Sequence, residues 1–422
     1  MIVREAKLLN GSKVQYQALD EAIRTAQFIR NRAVRLWRDE PDVNKARLSL
    51  LCKELAHEFP FAKKLNSMAR QASAERAWNS ISNFYRRCRE GAKKKGYPQF
   101  KKNSRSVEYK TSGWKLSEDC LTINFTDGFK AGQFSLFCNH ETREDLFRLK
   151  INRVRVVKRA DGYYAQFCFD ANRQEAGNYT GNVIGIDLGL KYFYKDQNDN
   201  TAIYPKYLRR TQKRIKKLQR RLSRKFVKGK PQSNNYHKAR IRLGKSHLKI
   251  QRQRKDWAVK LARCVVSSND VVVYEDLKIQ NMVKNHHLAK SISDASWYQF
   301  TQWLDYYGKV WDKTVISVAP HYTSQDCSNC GHRVKKSLST RTHQCPECKT
   351  EICRDTNAAL NILKKGMNIL GVEWVRGTEG HSGTSGKPGT LEKSSTAVDE
   401  EKSDSISCLV ESRINFVKNP AL

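Results

Sequence analysis

The sequence lacks long apolar runs and the apolar leader of a secreted protein. No stretch approaches the roughly 18–20 apolar residues that a membrane-spanning helix requires. The first residues, MIVREAKLLNGSK, contain no apolar core of a signal peptide. These absences exclude a membrane-embedded protein, and we expect an intracellular one with no membrane partner.

Acidic residues are also scarce relative to basic ones. Asp and Glu total 42 against 79 Lys and Arg, which gives a formal net charge of +37 over 422 residues. Such an excess destabilises a compact fold by self-repulsion unless a polyanion neutralises it. Because each neutralised phosphate releases counterions, a strongly basic surface gives high, salt-sensitive affinity for nucleic acid. The charge therefore indicates a DNA- or RNA-binding protein.

The cysteines do not form the even framework of a disulfide-rich protein. Seven of the twelve are scattered singly, and the others cluster within residues 327–353. This distribution is typical of a reduced intracellular protein with one metal site. The scattered seven are Cys52, Cys88, Cys120, Cys138, Cys168, Cys264 and Cys408.

The clustered cysteines have the spacing of a zinc ribbon. In CSNCGHRVKKSLSTRTHQCPECK, two C-x2-C pairs are separated by fourteen residues. Four thiolates in two such pairs suit a tetrahedral, structural Zn²⁺ ion with no open coordination position. The predicted ligands are Cys327, Cys330, Cys345 and Cys348. Cys353 lies outside the pattern and is a weaker candidate ligand.

The first hundred residues show helical periodicity. Apolar residues recur at helical spacing over 19–36 and again over 74–88. We place the start of the first helix near Asp20 and Glu21, because acidic residues stabilise a helix N-terminus. The segment GAKKKGYPQFKKNSR follows the second stripe and forms a dense positive patch.

Beyond this patch the apolar period changes to two. The dipeptides Asp127-Gly128 and Asp161-Gly162 follow alternating stretches, and each predicts a β-hairpin. We therefore expect a small antiparallel β unit over 105–175, joined by the first residues of the chain. A polar linker, ANRQEAGNYTGN, then leads into a second domain.

The second half alternates buried strands with very basic helices. NVIGIDLGLKYFYKD and NDVVVYEDL are apolar strands that each contain a carboxylate. Between them lie two basic helical stretches, about 206–226 and 236–264, and the narrow apolar stripe of the first predicts that the two form an antiparallel pair. From residue 371 the composition becomes rich in Gly, Ser, Thr and charge, which predicts a disordered tail over 371–422.

Three carboxylates in this half suggest a second metal site. Asp187 and Glu275 lie on apolar strands, and Asp355 opens an apparent helix, RDTNAALNIL. Because desolvating a lone carboxylate is costly, buried strands seldom contain one without a purpose. Three converging carboxylates could hold two Mg²⁺ ions for phosphodiester hydrolysis. Two simpler interpretations stay open: Asp276 could replace Glu275, although strand alternation points it to the opposite face, and Asp355 could be only an N-cap.

Several of these motifs, in the same order, resemble the TnpB family of transposon-encoded proteins. The resemblance rests on GIDLGLKYF, VVVYEDLKIQNMVKN, TSQDCSNCGH with QCPEC, and RDTNAALNIL, with KKKGYPQFKK nearer the N-terminus. It covers roughly residues 180–370 and, more loosely, the N-terminal part. The family is related to the miniature type V CRISPR effectors.

The resemblance implies an RNA-guided DNA endonuclease of mixed α/β, multidomain fold. Its site would be an RNase H-like RuvC centre with Asp187, Glu275 and Asp355 as the Mg²⁺-binding catalytic triad. A guide RNA would select double-stranded target DNA by base pairing, while the protein reads a short adjacent motif. The chain would act in a prokaryotic cytoplasm at the nucleoid, as a monomer on its guide.

The resemblance also implies a domain order and a set of nucleic-acid contacts. Residues 1–15 and 105–175 would form a β-barrel wedge, 16–104 a helical recognition domain, 181–325 and 351–370 the RuvC-like domain, and 326–350 the ribbon. The expected nucleic-acid contacts are Lys93, Lys94, Lys95, Lys101, Lys102, Arg209, Arg210, Arg220, Arg221 and Arg341.

The sequence departs from the family pattern in two places, and three alternative functions stay open. Cys353 stands where many relatives have an acidic residue or His, and KYFYKDQNDN is more aromatic and polar than the aliphatic run expected after GIDLGL. The chain could instead be a CRISPR-associated effector, a guide-bound DNA-binding regulator, or a DNA-strand transposase. Retention of all three carboxylates argues against the regulator, and the embedded ribbon and motif order argue against the transposase.

Overall fold

The computed structural model describes residues 2–337 and 340–372, which form two units that divide after Arg173. Of the predicted disordered tail, residues 373–422 lie outside the described part of the chain. Within the described ranges, no helix is both long enough and apolar enough to cross a membrane.

The first unit combines one antiparallel sheet with helices. The N-terminal strand pairs on both sides and lies at the centre of a sheet ordered β2-β6-β7-β1-β5-β4-β3. The two predicted hairpins are confirmed: β4–β5 surround Asp127-Gly128, and β6–β7 turn at Asp161-Gly162. The elements are β1 (Ile2–Leu9), α1 (Lys13–Asp39), α2 (Lys45–Glu58), α3 (Pro60–Lys64), α4 (Ser67–Arg89), β2 (Ser106–Tyr109), β3 (Trp114–Leu116), β4 (Thr122–Phe125), β5 (Gly132–Phe137), α5 (His140–Arg148), β6 (Ile151–Arg159) and β7 (Gly162–Phe169).

The first helix begins earlier than Asp20 and Glu21 indicate. Ser12 caps α1 by accepting a hydrogen bond from the backbone N–H of Gln15, whose side chain accepts from the Ser12 N–H at 2.8 Å. This reciprocal capping box satisfies two N–H groups that a helix start leaves unpaired. Asp20 therefore lies inside the helix, where its carboxylate accepts from Lys158 at 2.6 Å.

Helices and sheet of this unit share one hydrophobic core. Leu19 and Ile81 from the two predicted helical stripes pack in the same cluster as Phe125 and Phe167 from the sheet. Burying an amphipathic helix face against a sheet face removes both from water, so the two predicted segments stabilise each other.

The second unit is built on a mixed five-stranded sheet ordered β10-β9-β8-β11-β12. Strands β8, β11 and β12 are parallel, while β9 and β10 extend the sheet in an antiparallel hairpin beside β8. The elements are β8 (Val183–Leu188), β9 (Tyr194–Asp196), β10 (Thr201–Ala202), α6 (Tyr207–Ser223), α7 (Asn234–Ser267), β11 (Val271–Glu275), α8 (Ile279–Met282), α9 (His286–Ala295), α10 (Trp297–Trp311), β12 (Thr314–Val318), β13 (Thr342–Gln344), β14 (Glu351–Cys353) and α11 (Arg354–Ile369).

Side-chain alternation divides this sheet into two buried faces. Ile184, Ile186 and Val272 pack with residues of α7 and α10, whereas Val183 and Val273 pack with α11. Because both faces are covered, the parallel strands read as continuous apolar runs.

Helix α11 lies very close to its face of the sheet. A Cβ on Gly185 would lie 2.4 Å from the carbonyl oxygen of Ala359, and one on Gly366 would lie 2.4 Å from Val273. Glycine at these two positions lets helix and strand approach at a distance that any side chain would prevent. This close contact fixes the first turn of α11 relative to the ends of β8 and β11.

The two basic helices pair as predicted. Ile215 of α6 is buried in the contact with α7. Asp294 of α9 accepts hydrogen bonds from two backbone N–H groups in the first turn of α6, those of Leu208 and Arg209. Asp294 also accepts from Arg254 of α7 at 2.7 Å. A carboxylate at a helix N-terminus satisfies free N–H groups and complements the helix dipole.

Packing explains why the segment KYFYKDQNDN is more aromatic than the aliphatic run expected after GIDLGL. Phe193 and Tyr194 are fully buried, and Phe193 makes edge contacts with Trp257 of α7 and Phe300 of α10. Large rings fill the space between the sheet and these helices, where small aliphatic residues would leave a void.

Candidate active site and zinc ribbon

Asp187 and Glu275 lie side by side on neighbouring parallel strands. Ile186 of β8 is paired with Tyr274 of β11, so the next residue on each strand is the carboxylate. Both are on the face that α11 covers, because they continue the alternation of Val183 and Val273. Carboxyl ends of adjacent parallel strands form the crevice in which α/β sheets commonly bind ligands.

Asp355 lies in the first turn of α11, which packs on this same face. It is not the N-cap, since Cys353 occupies that position. Its carboxylate accepts from the guanidinium of Arg354 at 2.9 and 3.1 Å. Asp276, the rival of Glu275, is exposed, whereas Glu275 is 7% exposed.

Two of the carboxylates, Asp187 and Glu275, have raised pKa values. Burial raises the pKa of Asp187 well above its ordinary range, and the negative charges of Glu275 and Asp355 raise it further. Burial likewise raises the pKa of Glu275, against the opposing effects of a hydrogen bond from Thr323 and the charge of Lys365. Like charges near one another favour protonation or a bound cation.

The carboxylates form a looser group than the cysteines. Among the described residues, only the four cysteines offer three or more metal-ligating atoms that all lie within 4.8 Å of one another. The structure therefore brings the three carboxylates to one face of the sheet, with Asp355 engaged by Arg354, but does not gather their oxygen atoms into one compact set.

The four predicted zinc ligands do converge. The sulfurs of Cys327 and Cys348 are 3.6 Å apart, and those of Cys330 and Cys345 are 3.5 Å apart. A tetrahedral Zn²⁺ with Zn–S bonds of about 2.3 Å separates its ligands by about 3.8 Å, so the sulfurs fit that ion. Cys353 is not part of the group.

The first cysteine knuckle is fastened to α11 by two buried asparagines. Asn357 donates to the carbonyl of Asp326 at 2.8 Å and accepts from the N–H of Ser328 at 2.9 Å. Asn361 donates to the carbonyls of Thr323 and Asp326 at 2.8 and 2.7 Å. Cys327 thus lies between two residues that one helix side chain holds.

The residue that departs from the family pattern, Cys353, meets a lysine of β9. The Lys195 ammonium lies 3.2 Å from the Cys353 sulfur and 2.7 Å from the Asp199 carboxylate, which also accepts from Thr356. Burial raises the pKa of the Cys353 thiol, but hydrogen bonds from the Thr356 backbone and from Lys195 outweigh it, and the pKa is lowered.

The residues predicted to contact nucleic acid are exposed. All ten face solvent, and none forms an ion pair with an acidic residue in the described ranges. Helix α6 contains eight Lys or Arg and no acidic residue. The backbone carbonyl of Arg341 accepts from the N–H of Arg354, so Arg341 lies next to the strand that leads into Asp355.

Sequence reasoning missed Thr323, the two asparagines and Lys195. Thr323 donates a 2.6 Å hydrogen bond to Glu275, although 48 positions separate them. The N-x-x-x-N spacing of Asn357 and Asn361 was the available signal, because residues four apart share one helix face and Asn is a weak helix former. Nothing local to Thr323 or Lys195 indicates their partners.

Known protein families and individual proteins match parts of this chain. Residues 166–286 match a family described as "Probable transposase" (OrfB_IS605), and residues 297–362 match the "Cas12f1-like, TNB domain". A protein of Streptomyces pristinaespiralis named "Putative RNA-guided DNA endonuclease" is 29% identical over 315 residues, 74% of each chain. The "TnpB-like protein L79" of Acanthamoeba polyphaga mimivirus is 29% identical over 202 residues, 45% of this chain and 38% of that protein.

A solved structure has a similar fold. It is titled "Cryo-EM structure of the Cas12f1-sgRNA-target DNA complex" and aligns with a TM-score of 0.50 at 14% identity, over 83% of this chain and 81% of that chain. The fold is therefore mixed α/β, as predicted. Together, the family matches and the relatives confirm the resemblance to the TnpB family that the order of the sequence motifs predicts.

Proposed function

We propose that this chain is an RNA-guided, Mg²⁺-dependent DNA endonuclease with one RuvC-like site. The observation that carries the proposal is the side-by-side placement of Asp187 and Glu275 at the ends of parallel strands, with Asp355 on the helix that covers the same face. The relative named as an RNA-guided DNA endonuclease supports the same reaction class.

The donor set suits Mg²⁺. All three side chains offer oxygen ligands, and Mg²⁺ is commonly held by one or two protein carboxylates together with waters and substrate phosphates. Ligand oxygens that lie farther apart than the four cysteine sulfurs are therefore compatible with Mg²⁺ binding. Asp187, Glu275 and Asp355 would hold two ions, which when bound supply an activated water and stabilise the leaving oxygen.

The basic surface would bind the guide RNA and the target duplex. Lysines of the KKKGYPQFKK segment and arginines of α6 are exposed and form no ion pair with any described acidic residue, so they can contact backbone phosphates. Arg341 would contact nucleic acid near Asp355. Sequence selection would come from base pairing with the guide and not from these contacts.

We also infer the roles of the domains from this proposed function. The seven-stranded sheet would serve as the β-barrel wedge, α1–α4 as the recognition helices, and the mixed sheet with α11 as the RNase H-like nuclease domain. The mixed strand order and the carboxylates at the strand ends support the nuclease assignment. One chain would act on one guide.

The guide is tested by co-purification. The protein is expressed with its native flanking DNA, and the bound RNA is extracted and sequenced. A single enriched RNA that ends in a variable segment supports the proposal, and a repeat-derived RNA would identify the CRISPR-associated alternative. Heterogeneous cellular RNA would contradict RNA guidance and leave an unguided nuclease.

Cleavage is tested with Asp187→Ala and Glu275→Gln. Each should slow Mg²⁺-dependent DNA cleavage by at least about a thousandfold, as removal of a group essential to catalysis does. Guide and target binding should stay nearly unchanged, because most of the affinity comes from the phosphate interface. Asp276→Asn is the matched control, since Asp276 adjoins Glu275 but is exposed.

Two results would oppose the proposal. Full cleavage by either carboxylate variant would remove that residue from the site. A wild-type protein that binds guide and target but leaves the DNA intact would be the guide-bound regulator instead.

A further inference from the structure

Glu275 is held by a hydrogen bond from outside its own strand. The Thr323 hydroxyl donates to Oε1 of Glu275 at 2.6 Å, and both residues are buried, at 4% and 7% exposure. Within the described residues, Oε2 accepts no hydrogen bond, and it remains available as a metal ligand. The bond therefore fixes the carboxylate orientation while leaving one oxygen open.

Thr323 is itself fixed by α11. Asn361, 8% exposed, donates one amide N–H to the Thr323 carbonyl and the other to the Asp326 carbonyl. A buried amide that satisfies two carbonyls is costly to break, because each group would lose its partner away from water. Asn361 is thus the link that joins the Thr323 backbone to the helix that bears Asp355.

The same short segment contains a zinc ligand. Asn357, fully buried, binds the backbone on both sides of Cys327, through Asp326 and Ser328. Residues 323–328 therefore connect the ribbon to Glu275, and α11 holds this segment at two points one turn apart. Helix α11 therefore holds both the zinc ribbon and the segment that contacts Glu275.

From these contacts we propose that Thr323 is a positioning residue for Glu275, and that Asn361 keeps Thr323 in place. This inference rests on the proposed function, because it assigns Glu275 to a metal site. Hydrogen bonds to a metal-binding carboxylate orient it and tune its affinity, and their removal typically weakens metal binding by about 10- to 100-fold.

The first test measures Mn²⁺ binding to the full, zinc-loaded chain without nucleic acid, by electron paramagnetic resonance. Glu275→Gln gives the background of non-specific binding. Thr323→Ala should weaken Mn²⁺ binding by about tenfold, the loss expected for one hydrogen bond to a charged group. Thr323→Ser keeps the hydroxyl and should restore most of the affinity.

A matched control separates positioning from general loosening of the fold. Thr301 is a buried threonine of α10, on the other side of the sheet, and its hydroxyl donates to the carbonyl of Tyr298 and to no other group in the described ranges. Thr301→Ala removes the same atoms and should leave the Mn²⁺ affinity unchanged. Zinc content and thermal unfolding are recorded for every variant.

A double mutant tests the role of Asn361. Asn361→Leu keeps the approximate shape but removes both donated bonds, and it should weaken Mn²⁺ binding while zinc is retained. Because Asn361 acts through Thr323, Thr323→Ala combined with Asn361→Leu should bind Mn²⁺ about as well as the weaker single variant. In guide-loaded complexes, the same variants should need about tenfold more Mg²⁺ for half-maximal cleavage.

The inference is overturned if Thr323→Ala binds Mn²⁺ like the wild type, or if Thr323→Ser fails to restore binding. Equal losses in Thr301→Ala, or multiplied losses in the double mutant, would also reject it. These results require a wild type that binds Mn²⁺ and cuts DNA. A wild type that does neither would reject the proposed function, and the inference with it.

Discussion

The ribbon and the carboxylate group are two predicted metal sites built in opposite ways. The four cysteines fall within 22 consecutive residues, and their sulfurs lie within 4.8 Å of one another. The three carboxylates come from two strands and a helix spread over residues 187–355. A site whose ligands are near neighbours in sequence can form locally, whereas a dispersed one depends on strand register and helix packing.

The two sites should also differ in what they contribute to stability. A closed set of four thiolates supplies folding free energy when Zn²⁺ binds. A group of like-charged carboxylates costs stability when no cation is present, because burial and mutual repulsion both oppose ionisation. The ribbon should therefore stabilise the fold, and the carboxylates should weaken the metal-free protein.

The largest expected effect comes from breaking the ribbon. Cys327→Ser should lose zinc and disrupt the segment that includes Thr323, so cleavage should fall with it. Zinc is measured by metal analysis, and folding by thermal unfolding and limited proteolysis. Cys88→Ser, a cysteine of α4 outside the ribbon, is the control. A soluble, active Cys327→Ser protein without zinc would contradict a structural ribbon.

An intermediate effect should follow from separating α11 from the sheet. In Gly185→Ala the new methyl group would lie 2.4 Å from the Ala359 carbonyl oxygen, so helix and strand must move apart. Such overpacking costs about 1–3 kcal/mol in the free energy of unfolding. Denaturant unfolding measures this loss, and the Mg²⁺ concentration for half-maximal cleavage should rise while zinc stays bound. Unchanged Mg²⁺ dependence would show that α11 spacing does not control the carboxylate site.

The smallest effect tests the carboxylates in the absence of metal. The pKa of Asp187 is raised in the fold, so its contribution to stability is present below its unfolded pKa of about 4 and is lost as pH rises through the folded value. Asp187→Asn removes this loss. Its metal-free unfolding free energy should exceed that of the wild type by roughly 1 kcal/mol at pH 8 and by less at pH 5.

The same measurements with Mg²⁺ complete that comparison. Mg²⁺ should stabilise the wild type more at pH 8 than at pH 5, because protons compete for the ligands at low pH. It should stabilise Asp187→Asn little at either pH, and Asp276→Asn should behave like the wild type. A metal-free Asp187→Asn protein that is less stable than the wild type at pH 8 would show that the carboxylates do not repel one another.

Local sequence patterns were sufficient to predict the structure wherever neighbouring residues determine it. The Asp161-Gly162 turn produces the β6–β7 hairpin, and the apolar stripe of α1 is buried as its period indicates. The capping box at Ser12 and Gln15 was equally readable, and it gives the start of α1 that Asp20 does not. Helix α5 was missed, although Asn139 caps it and Glu141 lies in its first turn.

The amino-acid sequence alone determined the positive charge, the cysteine spacing and the carboxylate types, since each is a property of composition or of close neighbours. Only the tertiary structure decided that Glu275 lies beside Asp187, that Thr323 holds Glu275, and that Asn361 holds Thr323. The physical reason is that these contacts depend on the parallel register of β8 and β11 and on the approach of α11 at Gly185. Both are set by the burial of two sheet faces at once, which no local segment encodes.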